Sequence, residues 1–71
     1  MMFRFAEGEA VAATEEYPLI GLKPGDVGII WALYTTTPPA YEVTFQTEDG
    51  RPFDITMSED ELVAVADMGR A

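Results

Sequence analysis

Short apolar runs separated by single Pro and Gly residues give this chain the pattern of an all-β domain. The most β-prone run is residues 27–34, which contains Val, two Ile, Trp and Tyr. Apolar side chains occupy both parities of this run, which predicts a central strand covered on much of both faces. Gly28 within the run indicates a bulge or a close backbone crossing.

Three other segments also carry strand patterns. Residues 9–13 form a short apolar stretch after Gly8 and are predicted to be the first strand, with Val11 in the core. Residues 41–45 alternate cleanly, so that every second side chain is predicted to point inward: Tyr41, Val43 and Phe45. The Asp-Gly pair in Glu48-Asp49-Gly50-Arg51 favours a tight hairpin turn, and the alternation resumes after it at Phe53 and Ile55.

Two loops separate these strands. Residues 17–26 are predicted to form a long loop that ends in a type II turn, because Pro24 fixes φ at the second turn position and Gly25 tolerates the positive φ required next. Residues 35–39 end in Pro38 and Pro39, which cannot donate to a ladder, and are predicted to be a loop.

The segment after the hairpin begins with a capping-box pattern, Ser58-Glu59-Asp60-Glu61. Residues 62–67 then suit either a helix or a last strand, since their apolar spacing fits both periods. We favour one 3₁₀ turn followed by a strand, because the sheet would otherwise end at four strands with an exposed edge. The predicted fold is a mostly β, SH3-like, five-stranded and partly open barrel with one short 3₁₀ turn before the last strand. Residues 1–71 form a single domain with its core at about 9–66.

The amino-acid composition excludes more classes of function than any motif does. The 71 residues include neither Cys nor His, which removes thiol chemistry, the commonest general base and the commonest zinc ligand. The acidic group of Asp54 and residues 59–61 lacks the alternating spacing of a calcium loop, and a barrel this small leaves little room for a carboxylate cleft. We therefore expect no enzyme activity, no catalytic residues, no metal site and no cofactor.

Net charge indicates the class of partner. The chain carries −9 at pH 7, which opposes binding to nucleic acid or an anionic membrane and favours a basic protein. A homodimer is also expected, because a domain of this size has a small core and no disulfide. The N-terminus lacks an apolar signal-peptide region, so the expected compartment is the cytoplasm.

Four aromatic residues are the candidate partner-binding residues: Tyr17, Trp31, Tyr34 and Tyr41. SH3-like barrels offer an aromatic groove between the long first loop and the loop after the second strand, and Trp31 is the expected exposed anchor. The alternative is that these rings fill a core too small to hold them fully. Sequence leaves both interpretations open.

The order of elements and their residues resembles the small bacterial proteins grouped as domain of unknown function 4926. The resemblance spans about residues 9–65 and is carried by Val11, Ala12, Thr14, Glu15, Pro18, Gly21, Leu22, Gly25, Val27, Gly28, Tyr34, Tyr41, Glu42, Val43, Phe45, Gly50 and Leu62. It implies an SH3-like barrel with no catalytic motif or cofactor. Members of that family are often encoded beside another small protein, which implies a paired or antitoxin-like role.

Two shorter resemblances concern single strands. Gly-Asp-Val-Gly-Ile-Ile at residues 25–30 is similar to the glycine-containing strand of KOW-type SH3-like domains, and residues 59–65 resemble the last strand of the small SH3-like subunit of photosystem I. We take fold and not function from them. The expected function is a non-catalytic, acidic protein-interaction module. The alternatives are an antitoxin or immunity-type protein that neutralises a basic enzyme, and a KOW-like nucleic-acid-binding domain.

Overall fold

A computed structural model of the chain, which describes residues 2–46 and 50–68, shows antiparallel strands joined in one sheet. The strands are β1 Ala10–Ala13, β2 Val27–Tyr34, β3 Ala40–Gln46, β4 Pro52–Ser58 and β5 Leu62–Ala64. Three single 3₁₀ turns accompany them, which we name the loop turn (Pro18–Ile20), the acidic turn (Glu59–Glu61) and the terminal turn (Val65–Asp67).

The strand order is β4-β3-β2-β1-β5, and the sheet is not closed. This arrangement, with the acidic turn between β4 and β5, confirms the predicted mostly β, five-stranded and partly open barrel. The predicted fifth strand is also confirmed, although it ends at Ala64 and the chain continues as the terminal turn. No helix within the described segments has the length and hydropathy needed to cross a membrane.

The core lies on one face of the sheet, which we call the inner face. Tyr41, Val43 and Phe45 are fully buried there, as the alternation of β3 predicts. Their partners on β4, in register, are Met57, Ile55 and Phe53. The other residues of this core cluster are Phe5, Val11, Ala13, Leu22, Ile30, Leu62 and Ala64.

The N-terminal segment contributes to this core, although the core was predicted at about residues 9–66. Phe5 is buried, and the rings of Phe3 and Phe5 meet the ring of Tyr41 edge-on at centroid distances of 5.9 and 5.3 Å. Edge-to-face contacts of this kind add to the free energy gained by burying the rings. The packed unit therefore begins several residues earlier than predicted.

Strand β2 is central in the sheet, as predicted, but its second face is not covered. Val27, Ile29 and Trp31 are each about half exposed, at 49, 46 and 49%. The prediction that much of both faces is covered was wrong, because on the face of β2 opposite the core these three large side chains keep about half of their surface exposed. Apolar residues of both parities show that each face of the strand is apolar, but they do not show whether another layer lies on it.

Gly28 marks a close approach between strands, one of the two alternatives expected from the sequence. A Cβ atom at this position would lie 2.7 Å from Val43 Cγ1 and 2.8 Å from the Thr44 carbonyl oxygen. The irregularity in register lies farther along β2, between Ile30 and Ala32, so that Trp31 is the bulge residue.

Both predicted tight turns connect antiparallel strands. At the end of the long loop, the Asp26 N–H donates to the Lys23 carbonyl at 3.0 Å and Gly25 has φ of 90°, which confirms the type II turn. The hairpin between β3 and β4 is confirmed by their antiparallel pairing, while Glu48 and Asp49 of the predicted turn lie outside the described residues.

Replacing Gly28 by Ala is expected to destabilise the fold, because the new methyl group would collide with the backbone of β3 as well as with side chains. Overpacking of this kind costs about 1–3 kcal/mol of unfolding free energy, measurable by urea denaturation. Ile29→Val, which trims a half-exposed side chain on the same strand, is the control and should cost less. Equal stability of Gly28→Ala and the parent protein would contradict the close packing of β2 on β3.

Candidate functional site

The face of the sheet opposite the core, which we call the outer face, presents an apolar patch formed by Val27, Ile29 and Trp31 of β2. Val27 and Ile29 are brought to this face by the alternation of the strand, since Gly28 and Ile30 face inward and are buried. The bulge keeps Trp31 beside them, half exposed. A cluster of half-exposed aliphatic and aromatic side chains on rigid strands is typical of a binding surface.

Small apolar residues extend the patch over β1 and β5. Ala10 lies opposite Ile29, and Ala12 lies opposite both Val27 and Val63. Ala12 itself has no exposed surface. Ala10 and Val63 are partly exposed, so the outer face of the β2-β1-β5 half is apolar at each of these positions.

The β3-β4 half of the outer face carries an acidic ladder, formed by Glu42, Thr44, Asp54 and Thr56. Glu42 is directly opposite Thr56, and Thr44 is directly opposite Asp54. In each pair the Thr hydroxyl donates to the carboxylate, at 2.6 Å from Thr44 to Asp54 Oδ1 and 2.8 Å from Thr56 to Glu42 Oε1. These bonds orient both carboxylates and leave them capacity to accept further hydrogen bonds.

Tyr34 joins the acidic ladder from β2. Its hydroxyl donates to Glu42 Oε1 at 3.0 Å, and the pKa of Tyr34 is raised by this hydrogen bond, by burial and by the negative charge of Glu42. No Lys or Arg stands among the described outer-face positions of β2, β3 and β4. The outer face is therefore apolar on one half and negatively charged on the other.

The four aromatic candidates do not form a shared groove. Trp31 and Tyr34 lie on the outer face, whereas Tyr17 packs against the core from the long loop. Tyr41 has no exposed surface, because its position in β3 points it inward between the N-terminal segment and β4. Tyr41 lies inward as the alternation of β3 predicts, and Trp31 is exposed as expected. The positions of Tyr34 and Tyr17 could not be assigned from the sequence, because they depend on the bulge at Trp31 and on the path of the loop.

Tyr41 is a structural residue at the centre of a polar cluster. Its hydroxyl accepts hydrogen bonds from the N–H groups of Arg4 and Phe5 at 3.1 and 3.3 Å, and donates to Glu59 of the acidic turn. Burial, followed by the hydrogen bond to Glu59, raises the pKa of Tyr41. This cluster joins the N-terminus, β3 and the acidic turn, and it offers a partner no ring surface.

Tyr17 fastens the long loop to the acidic turn. Its hydroxyl donates to Glu61 Oε2 at 2.6 Å, and burial and this bond raise the pKa of Tyr17 well above its ordinary value. The Tyr17 and Leu22 backbones exchange two hydrogen bonds, of 2.7 and 3.1 Å, which close the loop around Pro18–Ile20. Glu61 also accepts from the Ser58 N–H at 2.8 Å, as the capping-box pattern predicts.

The loop turn and Ile55 of β4 line an open cavity of about 330 Å³ that no pattern in the sequence predicted. Its lining is mostly apolar and consists of Glu16, Tyr17, Pro18, Leu19, Ile20 and Ile55. Leu19 is fully exposed at the tip of the loop turn. The available signal was the Pro-Leu-Ile run within the long loop.

Carboxylates elsewhere do not converge. Within residues 2–46 and 50–68, no group of three or more acidic side chains is placed to hold a metal ion. The outer face can therefore contact an apolar surface and accept hydrogen bonds from cationic groups.

Trp31 is the single Trp of the chain, so its fluorescence reports directly on the apolar patch. With each quenching constant divided by that of free N-acetyltryptophanamide, we expect cationic caesium to be favoured over anionic iodide, because the net charge of −9 concentrates cations near the ring. Raising ionic strength to about 0.5 M should reduce this preference by screening. Acrylamide, which is neutral, provides the reference for access to the ring, and a normalised preference for iodide would contradict an acidic environment.

Tyr41→Phe is expected to lower the unfolding free energy by about 1–3 kcal/mol, since the buried Phe5 N–H loses its acceptor and the Glu59 carboxylate loses its hydroxyl donor. The Arg4 N–H keeps its bond of 2.9 Å to Glu59 Oε2. Hydrogen bonds from Tyr41 and Arg4 lower the pKa of Glu59 below its usual 4.5 in the folded state. The resulting stabilisation is complete above that usual value and is lost as pH falls through the lowered folded pKa.

The stability difference between parent and Tyr41→Phe should therefore shrink as pH falls below about 4.5, as urea denaturation across pH would show. Glu59→Gln is the matched control, because it removes the titrating group and should flatten this dependence. A constant difference between neutral and strongly acidic pH would show that Glu59 is not the responsible group.

Comparison with known proteins adds no relative to these observations. No family model, no curated protein and no solved structure matches the chain. The resemblance to the domain of unknown function 4926 family stays a prediction from the residues quoted for it. The function is therefore argued from the geometry of this chain.

Proposed function

We propose that this protein is a non-catalytic interaction module that binds a basic protein across the apolar patch and the acidic ladder. The observation that carries the proposal is the half exposure of Trp31, together with Val27 and Ile29, beside two oriented carboxylates on the same face. We keep the cytoplasm as the expected compartment.

The apolar patch would supply the affinity of such a complex. Each Å² of apolar surface that a partner removes from water contributes about 25 cal/mol. Trp is also among the residue types that dominate binding free energy when a partner buries them. Because the patch lies on paired strands, its backbone needs no ordering on binding, which limits the entropic cost.

The acidic ladder would supply the selectivity. Glu42 and Asp54 are held in place by hydroxyl donors, so a Lys or Arg side chain meets carboxylates that are already oriented. The net charge of −9 attracts a basic partner over a longer range and opposes polyanions such as nucleic acid. The fitting partner presents apolar side chains with Lys or Arg next to them.

A basic enzyme is one partner of this chemistry. Covering a cationic substrate site would give this protein the neutralising role of an antitoxin, in line with the family resemblance. The carboxylates of the outer face lie on an open sheet surface and not in a cleft that excludes water, which favours contact over catalysis.

Fluorescence of Trp31 tests this proposal with a defined probe. A synthetic 12-residue peptide that alternates Lys with Leu should shift the Trp31 emission to shorter wavelength in a saturable manner, because it buries the ring. The same peptide with Glu in place of Lys should leave the emission unchanged. Raising NaCl from about 20 to 300 mM should weaken binding of the Lys peptide as screening increases.

Two single variants locate the binding surface. Ile29→Thr should weaken the Lys peptide about tenfold, since it removes apolar area from the patch. Leu19→Ser alters an exposed residue at the loop turn instead and should leave affinity unchanged. Equal binding of both peptides, or a loss with Leu19→Ser alone, would refute the assignment of the outer face.

A further inference from the structure

Strand β4 is one edge of the open sheet, and its backbone directions can be assigned. The Glu59 N–H donates to the Pro39 carbonyl at 2.9 Å, which extends the β3-β4 ladder one pair beyond Ala40 and Ser58. Hydrogen-bonded and non-hydrogen-bonded pairs alternate along an antiparallel ladder. Phe53, Ile55 and Met57 therefore direct their N–H and C=O groups toward β3.

The alternate residues of β4, Asp54 and Thr56, direct their N–H and C=O groups toward the open edge. On either side of these two residues, the edge has no N–H group available to pair with an added strand. Pro52 has no N–H to donate, and the Ser58 N–H already donates to Glu61 at 2.8 Å. An added strand would thus meet two residues that each offer a donor and an acceptor, centred on Ile55.

We propose that this edge pairs with the same edge of a second copy of the chain, antiparallel and with Ile55 on the two-fold axis. In this register Asp54 of one copy lies opposite Thr56 of the other. Each of these two pairs exchanges two backbone hydrogen bonds, so four bonds form and both residues of each edge are satisfied. The sequence of β4 is self-complementary, because apolar and polar positions alternate symmetrically about Ile55.

The side chains of β4 fit the same register. The two Ile55 side chains face each other as a non-hydrogen-bonded pair, the closest kind, with Cα atoms about 4.5 Å apart. Ile55 is half-buried and lines the cavity beneath the loop turn, next to Ile20 and the fully exposed Leu19. A second Ile55 at the edge would lie beside this apolar cavity and cover surface that is exposed in the single chain.

Charge also favours this register over a parallel one. Arg51 precedes β4 and the acidic turn follows it, so antiparallel pairing about Ile55 sets Arg51 opposite Glu59 of the other copy. Opposite charges then meet at both ends of the shared edge. This local attraction opposes the repulsion between two chains that each carry −9.

Pairing of this kind would place both outer faces on the same side of a continuous sheet, because the two-fold axis is perpendicular to the sheet. The apolar patch and acidic ladder of each copy stay uncovered. The dimer would therefore be bivalent for a partner of the outer face, which raises avidity without a new contact. The pairing itself does not depend on the proposed function.

Cysteine cross-linking tests the register directly, since the chain contains no Cys. Under mild oxidation, Ile55→Cys should form an intermolecular disulfide, because the two Cα atoms meet within bonding range. Phe53→Cys is the matched control on the same edge: its two copies lie four positions apart, about 13 Å, and should cross-link at least about tenfold more slowly.

Light scattering at about 50 μM should give twice the monomer mass for the parent chain and for Thr56→Val, which keeps the backbone N–H. Thr56→Pro removes one edge donor and should be a monomer. A monomeric parent chain, or equal cross-linking of Ile55→Cys and Phe53→Cys, would overturn the proposal. Failure of Thr56→Pro to fold would leave the cross-linking pair and the parent mass to decide.

Discussion

The structure depends on one constraint: the apolar core of the described residues lies on one face of the sheet. The inner face is filled by side chains from all five strands, the long loop and the N-terminal segment. On the other side, Val27, Ile29 and Trp31 of β2 stay about half exposed. A sheet that does not close also leaves β4 as an edge. Both candidate interaction surfaces follow from this single-layer architecture.

Acidic residues do more in this fold than keep it in solution. Glu59 and Glu61 of the acidic turn accept from Tyr41 and Tyr17, and so join the N-terminus and the long loop to the end of the barrel. On the outer face Glu42 accepts from Tyr34 and Thr56. Hydroxyl donors in these pairs hold carboxylates in place without cancelling their charge. A surplus of negative charge is thereby built into defined positions, which favours recognition of basic partners.

The outer face and the β4 edge would make two different kinds of contact. The outer face combines apolar area and oriented carboxylates, and the β4 edge offers backbone groups bounded by Pro52 and by the Ser58 N–H bond to Glu61. A short, bounded edge limits uncontrolled strand addition, which is a hazard for open sheets. It still accommodates one strand whose polar and apolar positions match, and β4 itself has that pattern. Contact surfaces of this kind suit a small protein that acts by binding.

Most of the fold was predictable because its signals are local. Alternation in β3, the Pro-Gly turn before β2 and the capping box at Ser58 each depend on residues a few positions apart, and the structure confirms all three. The hydrogen-bond capacity and backbone preferences of those residues act wherever the segment lies. The sequence also determined the net charge and the absence of thiol and imidazole groups.

The tertiary structure alone decided which apolar residues are covered. An isoleucine in β2 has the same strand preference at position 29 as at position 30, yet Ile30 is fully buried and Ile29 is half exposed, because only one face of the strand meets other elements. The hydrogen bonds of the Tyr41 hydroxyl and the cavity between the loop turn and Ile55 depend likewise on contacts between residues far apart in the chain. Local periodicity records the residue types on each face, but the packing of distant segments determines which face becomes the core.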